Sequence, residues 1–178
     1  NNWEDRSSCI LFGDGAGAAV VQAEEGELCP SVAGSDGTMG HVLACESRVQ
    51  NDWQQKEADR KTYIDMDGTA GFKFAVRKMP EMAKSLMAQL HCTEADIDWF
   101  ITHQANERII EAIAKRLKSD IAKFPMNIAE CGNTSSASIP ILLDEMNRSG
   151  QLKDGQKIIM AGFGAGLSWG AVYMEWHA

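Results

Sequence analysis

The chain has 178 residues, 44% of them hydrophobic, and a formal net charge of -8. A chain of this length and apolar content can bury one sizeable core, which predicts a single domain over residues 1–178. The acidic balance argues against nucleic-acid binding, and no apolar run approaches the roughly 20 residues that cross a membrane.

Five cysteines lie scattered along the chain, and none forms a Cys-x-x-Cys pair. Their odd number and spacing argue against a disulfide scaffold and against a structural zinc site. We therefore expect reduced thiols, a cytoplasmic location and no metal. The sequence opens Asn-Asn-Trp without Met and reaches a strand-like apolar stretch within its first twelve residues. This predicts a fragment, a processed product or part of something longer.

The first predicted element is a β-hairpin. Residues 8–12 and 18–22 predict its two strands, with a tight glycine turn over 13–17. The turn also matches the dinucleotide pattern G-x-G-x-x-G/A by letter. That pattern needs a helix after it to hold a pyrophosphate, whereas the residues that follow are β-prone, so the hairpin is the favoured interpretation. The polar stretch 34–67 predicts an excursion on the surface.

Helical spacing dominates the middle of the chain. Apolar residues recur three or four apart from Thr69 to Leu90, which predicts an amphipathic helix. Pro80 is expected to kink or split this helix near Met79. Residues 98–102 then predict a short strand that ends on His103, followed by a second amphipathic helix.

The last third of the chain predicts a Gly-Asn-Thr-Ser turn at 132–135, a helix over 139–146 and a strand over 157–161. A glycine turn at 162–166 and a final strand over 167–175 complete the pattern. Alternating strands and helices predict an α/β fold in which helices cover a mixed five-stranded sheet.

Two polar residues, His103 and Asn133, stand where open α/β sheets place ligands. Taken alone, each fits a structural role, the histidine bonding a loop and the asparagine capping a helix. Together, an imidazole N–H and a carboxamide N–H could stabilise a developing oxyanion, a role worth roughly 3 kcal/mol per donor. Cys131 is a candidate nucleophile near a helix start. A packed structural cysteine is the favoured interpretation, so the nucleophile is expected elsewhere.

Residues 103–123 carry five basic and three acidic residues in an otherwise acidic chain. A locally basic helix suits an acidic partner or a phosphate. An ordinary solvated helix face explains the same pattern equally well.

Six segments occur in one order and cover nearly the whole chain. They are ILFGDGAGAA (10–19), DGTMG (36–40), GFKFAV (71–76), HQANERII (103–110), GNTSSASIP (132–140) and GFGAGLSWG (162–170). In this order they resemble the β-ketoacyl-acyl-carrier-protein synthase III family of thiolase-fold condensing enzymes. The resemblance implies that the chain is the carboxy-terminal, thiolase-like half of such an enzyme.

The resemblance also implies an activity and partners. Family members take an acyl group from acyl-CoA onto a cysteine and condense it with malonyl-acyl-carrier protein to start fatty-acid synthesis, without a cofactor. The cysteine lies in an amino-terminal half that this chain lacks, so the isolated chain is expected to be inactive. The complete enzymes form homodimers. Alternatives are a related acyltransferase of secondary metabolism or quinolone signalling, and a non-catalytic partner that binds carrier protein.

The same resemblance assigns roles to individual residues. His103 and Asn133 match the catalytic histidine and asparagine that hold the malonyl thioester oxygen. The backbone N–H of Ala165 would pair with the N–H of the cysteine as a second oxyanion hole. Carrier-protein docking is expected at Arg108 and, more weakly, at Lys73, Lys115 and Arg116. The substrate channel is expected to include Phe72 and Phe163.

Overall fold

The computed structural model describes residues 2–22, 25–26, 29–45 and 63–177. Its helices are α1 (Arg6–Cys9), α2 (Gly68–Gln89), α3 (Glu107–Leu117), α4 (Ile128–Cys131) and α5 (Ser138–Arg148). Its strands are β1 (Ser31–Ser35), β2 (Leu43–Cys45), β3 (Ile64–Met66), β4 (Trp99–Thr102), β5 (Lys157–Gly164) and β6 (Ser168–Glu175). Short 3-10 helices cover Gly37–Val42, Glu94–Asp96, Ile121–Lys123 and Ser135–Ala137. Within these ranges, none of the helices has the length and apolar character that crossing a bilayer requires.

The main sheet has the strand order β1-β6-β5-β4, and β2 pairs with β3 in a separate two-stranded sheet. The strands β4 and β5 are parallel, whereas β5 pairs with β6, and β6 with β1, in antiparallel fashion. The predicted mixed α/β fold is therefore confirmed. In the described residues the main sheet has four strands, one fewer than predicted.

Helices cover both faces of this sheet because adjacent strand residues point to opposite sides. On β4, Phe100 packs into the core cluster that includes α2 and α3, whereas Ile101 packs towards α5. On β5, Ile159 and Ile158 divide in the same way. The hydrophobic core therefore forms two layers with the sheet between them.

The predicted helix over 69–90 is confirmed as α2, which starts after Asp67. One carboxylate oxygen of Asp67 accepts hydrogen bonds from the backbone N–H groups of Thr69 and Ala70. The helix runs unbroken through the buried Pro80, so the predicted split is wrong. A proline inside a helix costs about 3 kcal/mol, which the buried stripe including Met79 and Leu86 offsets.

The predicted hairpin over 8–22 is wrong, because residues 10–22 form a single isolated bridge, between Phe12 and Asn133. Val20 and Val21 are 99% and 92% exposed. The place beside β6 is taken instead by β1. Strand propensity is a local property, whereas the path of this segment is set by contacts with residues 131–141, far along the chain.

The predicted surface excursion over 34–67 lies mostly at the surface in its described part, as expected: of residues 34–45 and 63–67, Val42 alone is buried. Gly34 and Ser35 belong to β1, and β2 and β3 pair with each other. Val42 is only 1% exposed because it packs beside Phe74 and Leu167. Residues 46–62 of the predicted excursion lie outside the described residues.

Candidate active site

The site lies at one edge of the sheet, where β4 and β5 end side by side. Because these strands are parallel, His103 after β4 and the turn after β5 emerge at the same edge. The backbone N–H of His103 donates to the carbonyl of Ala161 over 2.9 Å, which extends the ladder by one residue. This is the edge at which α/β sheets bind ligands.

The His103 ring is held on two sides. Its Nδ1 lies 2.8 Å from the hydroxyl oxygen of Ser138, the buried first residue of α5. The ring of Phe163 meets the imidazole edge to face, with centroids 5.4 Å apart. Burial lowers the pKa of His103 to about 4, although the backbone of Ser135 favours the protonated ring. The imidazole is therefore neutral near pH 7.

Asn133 is held through its backbone and its side chain. Its N–H donates to the Leu11 carbonyl over 2.8 Å, and its own carbonyl accepts from the Gly13 N–H over 3.0 Å. Its Oδ1 accepts from the N–H of Ser135 over 2.9 Å, so the Nδ2 amino group forms the other end of the amide and is oriented as a donor. The segment 133–138 thus contacts both predicted catalytic side chains, the Asn133 amide through Ser135 and the His103 ring through Ser138.

The first glycine run supports Asn133 by close backbone approach. A Cβ atom on Gly13 would collide with the carbonyl oxygen of Cys131, and one on Gly15 would lie 2.7 Å from Ile141. A Cβ on Gly17 would meet the ring of Pro140 at a similar distance. Glycine is needed at these positions because any side chain would collide with the neighbouring atoms. Among the described residues up to Ser31, no helix follows this run, as a pyrophosphate-binding turn would require.

Gln104 is a supporting residue that sequence reasoning missed. It is fully buried, and its amide donates to the carbonyls of Thr102 and Pro125 over 2.9 and 3.4 Å. Its carbonyl oxygen accepts from the Asn127 N–H over 3.3 Å. These bonds hold the loop before α4 against the end of β4. Its place in the His-Gln-Ala-Asn segment was the available signal.

Cys131 lies at the carboxy-terminal end of α4, where the helix dipole does not favour a thiolate. Burial raises the pKa of its thiol, and the charges of Glu145 and Glu130 raise it further. Its sulfur lies 3.9 Å from a carboxylate oxygen of Glu145. These surroundings argue against a nucleophile. In the described part of the chain, no three His, Cys, Asp or Glu residues cluster as a metal site would require.

Ala165 lies in the exposed turn between β5 and β6, at the same edge as His103. The φ of Ala165 is not among the positive ones, so its Cβ is accommodated without backbone strain. Of the two predicted channel residues, Phe163 contacts His103, whereas Phe72 is 37% exposed on α2. Sequence reasoning missed Phe74, which is 4% exposed and packs against Phe163 with centroids 6.4 Å apart.

The predicted docking cations are all exposed. Lys73 lies on α2, and Arg108, Lys115 and Arg116 lie on α3. The helix α3 buries its isoleucine face, which directs these charges outward. Lys123 differs, because its amine pairs with Glu94 over 3.0 Å and is partly buried.

Two family models match the chain. The model of 3-oxoacyl-[acyl-carrier-protein] synthase III, C-terminal, matches residues 87–176, and the model of 3-oxoacyl-[acyl-carrier-protein] synthase III matches residues 1–37. The chain belongs to the synthase III family. The described fold and the curated relatives agree with this membership.

Among synthase III relatives, the β-ketoacyl-[acyl-carrier-protein] synthase III of Clostridium novyi is 45% identical over 178 residues, 99% of this chain and 55% of the relative. The crystal structure of the Aquifex aeolicus synthase III is 38% identical, with a TM-score of 0.86 over 98% of this chain and 53% of that one. The priming β-ketosynthase of the R1128 polyketide pathway is 36% identical, with the same TM-score over 96% and 52% of the two chains. The chain thus spans about half the length of the relatives it matches.

Proposed function

We propose that this chain supplies the oxyanion-binding half of a decarboxylative condensing site. The reaction would join an acyl group, taken from acyl-CoA, to malonyl-acyl-carrier protein and so start fatty-acid synthesis. The observation that carries the proposal is that one segment, 133–138, orients both residues: Ser135 binds the amide oxygen of Asn133, and Ser138 contacts the ring of His103.

The chemistry requires two neutral donors at one oxygen. Breaking the bond between the malonyl carboxylate and its α-carbon releases CO₂ and moves the electron pair onto the thioester, giving an enolate. An imidazole N–H and an amide N–H stabilise the enolate oxygen without losing a proton to it. The enolate carbon then attacks the acyl thioester, and the cysteine leaves as a thiolate.

The nucleophilic cysteine would come from an amino-terminal half that lies outside these 178 residues. Two facts support this: the chain spans about half of its relatives, and the raised thiol pKa of Cys131 makes it unsuitable. The Ala165 N–H would join the N–H of that cysteine in binding the acyl oxyanion. We expect the complete protein to be a cytoplasmic homodimer without a cofactor.

The acidic carrier protein would dock on exposed cations. Arg108 is the first candidate, because it lies in the first turn of α3, five residues after His103. Lys73, Lys115 and Arg116 extend the same charge over α2 and α3. Phe163 would line the channel beside the imidazole, and Phe72 would lie nearer its mouth.

Reconstitution tests the proposal. The chain is mixed with its cysteine-bearing half, acyl-CoA and malonyl-acyl-carrier protein, and the β-ketoacyl product is measured. We expect product from the mixture and none from the chain alone. Turnover by the isolated chain, or none by a correctly folded mixture, would contradict the proposal.

The likeness to a priming β-ketosynthase favours one second candidate, an acyltransferase of secondary metabolism. The two functions differ in the carrier protein that delivers the malonyl group. Comparing malonyl groups on fatty-acid and polyketide carrier proteins in the same assay separates them. A preference of at least about tenfold, or about 1.4 kcal/mol, for the polyketide carrier would favour the second function.

A further inference from the structure

Ser138 is buried against the predicted catalytic ring, and neither the resemblance nor the family match gives it a role. We propose that Ser138 is a positioning residue whose hydroxyl donates to Nδ1 of His103 and so keeps the ring proton on Nε2. The inference rests on the proposed function and deepens it, because Nε2–H is then the donor that His103 offers to the thioester oxygen.

The contact is built into the fold. The hydroxyl oxygen lies 2.8 Å from Nδ1, and Ser138 is 2% exposed, so bulk water has little access to the serine. His103 directly follows β4 and is tied to β5 by its backbone N–H, and Ser138 begins α5, 35 residues later in the chain. Both partners are therefore carried by regular structure, which limits their relative movement.

A second contact gives the hydrogen bond its direction. The backbone N–H of Gln104 points at the same hydroxyl oxygen over 3.3 Å. An N–H can only donate, so it occupies one lone pair of the oxygen, and the hydroxyl proton needs an acceptor elsewhere. A neutral imidazole provides that acceptor at Nδ1. If the ring proton were on Nδ1 instead, the Ser138 oxygen would accept hydrogen bonds from both Nδ1–H and the Gln104 N–H. The hydroxyl proton of Ser138 would then have no acceptor in either contact.

The tautomer matters for the reaction because the wrong one presents a lone pair to the enolate oxygen. Ser138→Ala removes the preference and lets the ring adopt either form. We expect kcat for condensation to fall about tenfold, with KM changed much less, since an orienting partner acts through the group it holds. Ser138→Thr keeps the hydroxyl and should recover most of the rate.

The direct test is ¹⁵N NMR of the complete protein labelled at histidine. The His103 signals are identified by their loss in His103→Gln, and the shifts and couplings of the two ring nitrogens report which one is protonated. We expect Nε2–H in the wild type and in Ser138→Thr, and a mixture of tautomers in Ser138→Ala. Ser136→Ala, an exposed serine in the same turn, is the matched control and should keep Nε2–H.

An Nδ1–H ring in the wild type would overturn the inference, whatever any variant does. An Nε2–H ring that Ser138→Ala leaves unchanged would overturn it too. Neither result depends on condensing activity. A wild type that shows the Nε2–H ring, loses it in Ser138→Ala and makes no product supports the assignment of Ser138, while the proposed function fails.

Discussion

Acid destabilisation tests the environment of His103 without any substrate. Burial keeps the ring neutral in the folded protein down to pH of about 4, whereas its ordinary pKa is 6.5. Between these values the unfolded chain binds a proton that the folded protein does not. Stability from this residue is therefore complete above pH 6.5 and is lost as the pH falls towards 4.

The size of the effect follows from the two pKa values. The whole difference corresponds to about 3 kcal/mol, of which about 2 kcal/mol is lost between pH 7.5 and pH 5. His103→Gln removes the titrating group and keeps a side chain that can bond Ser138. The wild type should therefore lose about 2 kcal/mol more than His103→Gln over this interval.

Urea unfolding, followed by tryptophan fluorescence at both pH values, measures these free energies. Carboxylates contribute alike to both proteins, so the difference isolates position 103. His41→Gln, at an exposed histidine, is the matched control and should leave the acid destabilisation in place. Equal losses in the wild type and His103→Gln would refute the buried, neutral imidazole.

Three further predictions concern the glycine run beside Asn133, carrier-protein docking and Cys131. Gly13→Ala should lower the free energy of unfolding by about 2 kcal/mol, because its Cβ meets a backbone carbonyl. Gly71→Ala on α2, with open space around it, should raise that free energy by up to about 1 kcal/mol, and equal effects of the two variants in thermal unfolding would contradict the packing. Arg108→Glu should slow malonyl transfer from carrier protein at least about tenfold more than acyl transfer from CoA. Lys84→Glu, at an exposed lysine, is the control; equal losses in the two half-reactions of Arg108→Glu would count against a docking role. Cys131→Ser should keep activity within about threefold in the steady-state assay, since the thiol pKa is raised; abolished acyl transfer would make it the nucleophile.

The local sequence pattern was sufficient to predict those elements whose residues alternate or repeat in a way typical of a strand, helix or turn. The strand before His103, the helices α2 and α3 and the glycine turn after β5 all follow from apolar period and turn residues. The order of strand and helix also placed His103 at the ligand-binding edge. The prediction that His103 and Asn133 act together came from the family resemblance, because either residue alone fits a structural role.

Other features depend on partners far away in the chain. The strand β1 reads Ser-Val-Ala-Gly-Ser and has little strand propensity. It forms because it pairs with β6, where the indole of Trp169 covers Gly34 so closely that a Cβ would lie 2.7 Å from it. Residues 10–22 show the opposite case: their sequence favours strands, but their backbone packs closely against the loop that carries Asn133 instead of forming a hairpin. Ser138 contacts His103 from 35 positions away in the chain, a separation that no local sequence pattern predicts.

The decarboxylation half-reaction tests the central claim most directly. The complete protein is given malonyl-acyl-carrier protein, and CO₂ release is compared with acyl transfer from acyl-CoA. Asn133→Asp keeps the oxygen that accepts from Ser135 but loses the amide donor. This variant and His103→Ala should each slow CO₂ release at least about 100-fold, the loss expected for one oxyanion donor. Acyl transfer should fall less than about threefold, because the proposal assigns that step to the oxyanion hole that includes the Ala165 N–H. Unchanged CO₂ release in either variant, or equal losses in both half-reactions, would contradict the oxyanion-binding pair.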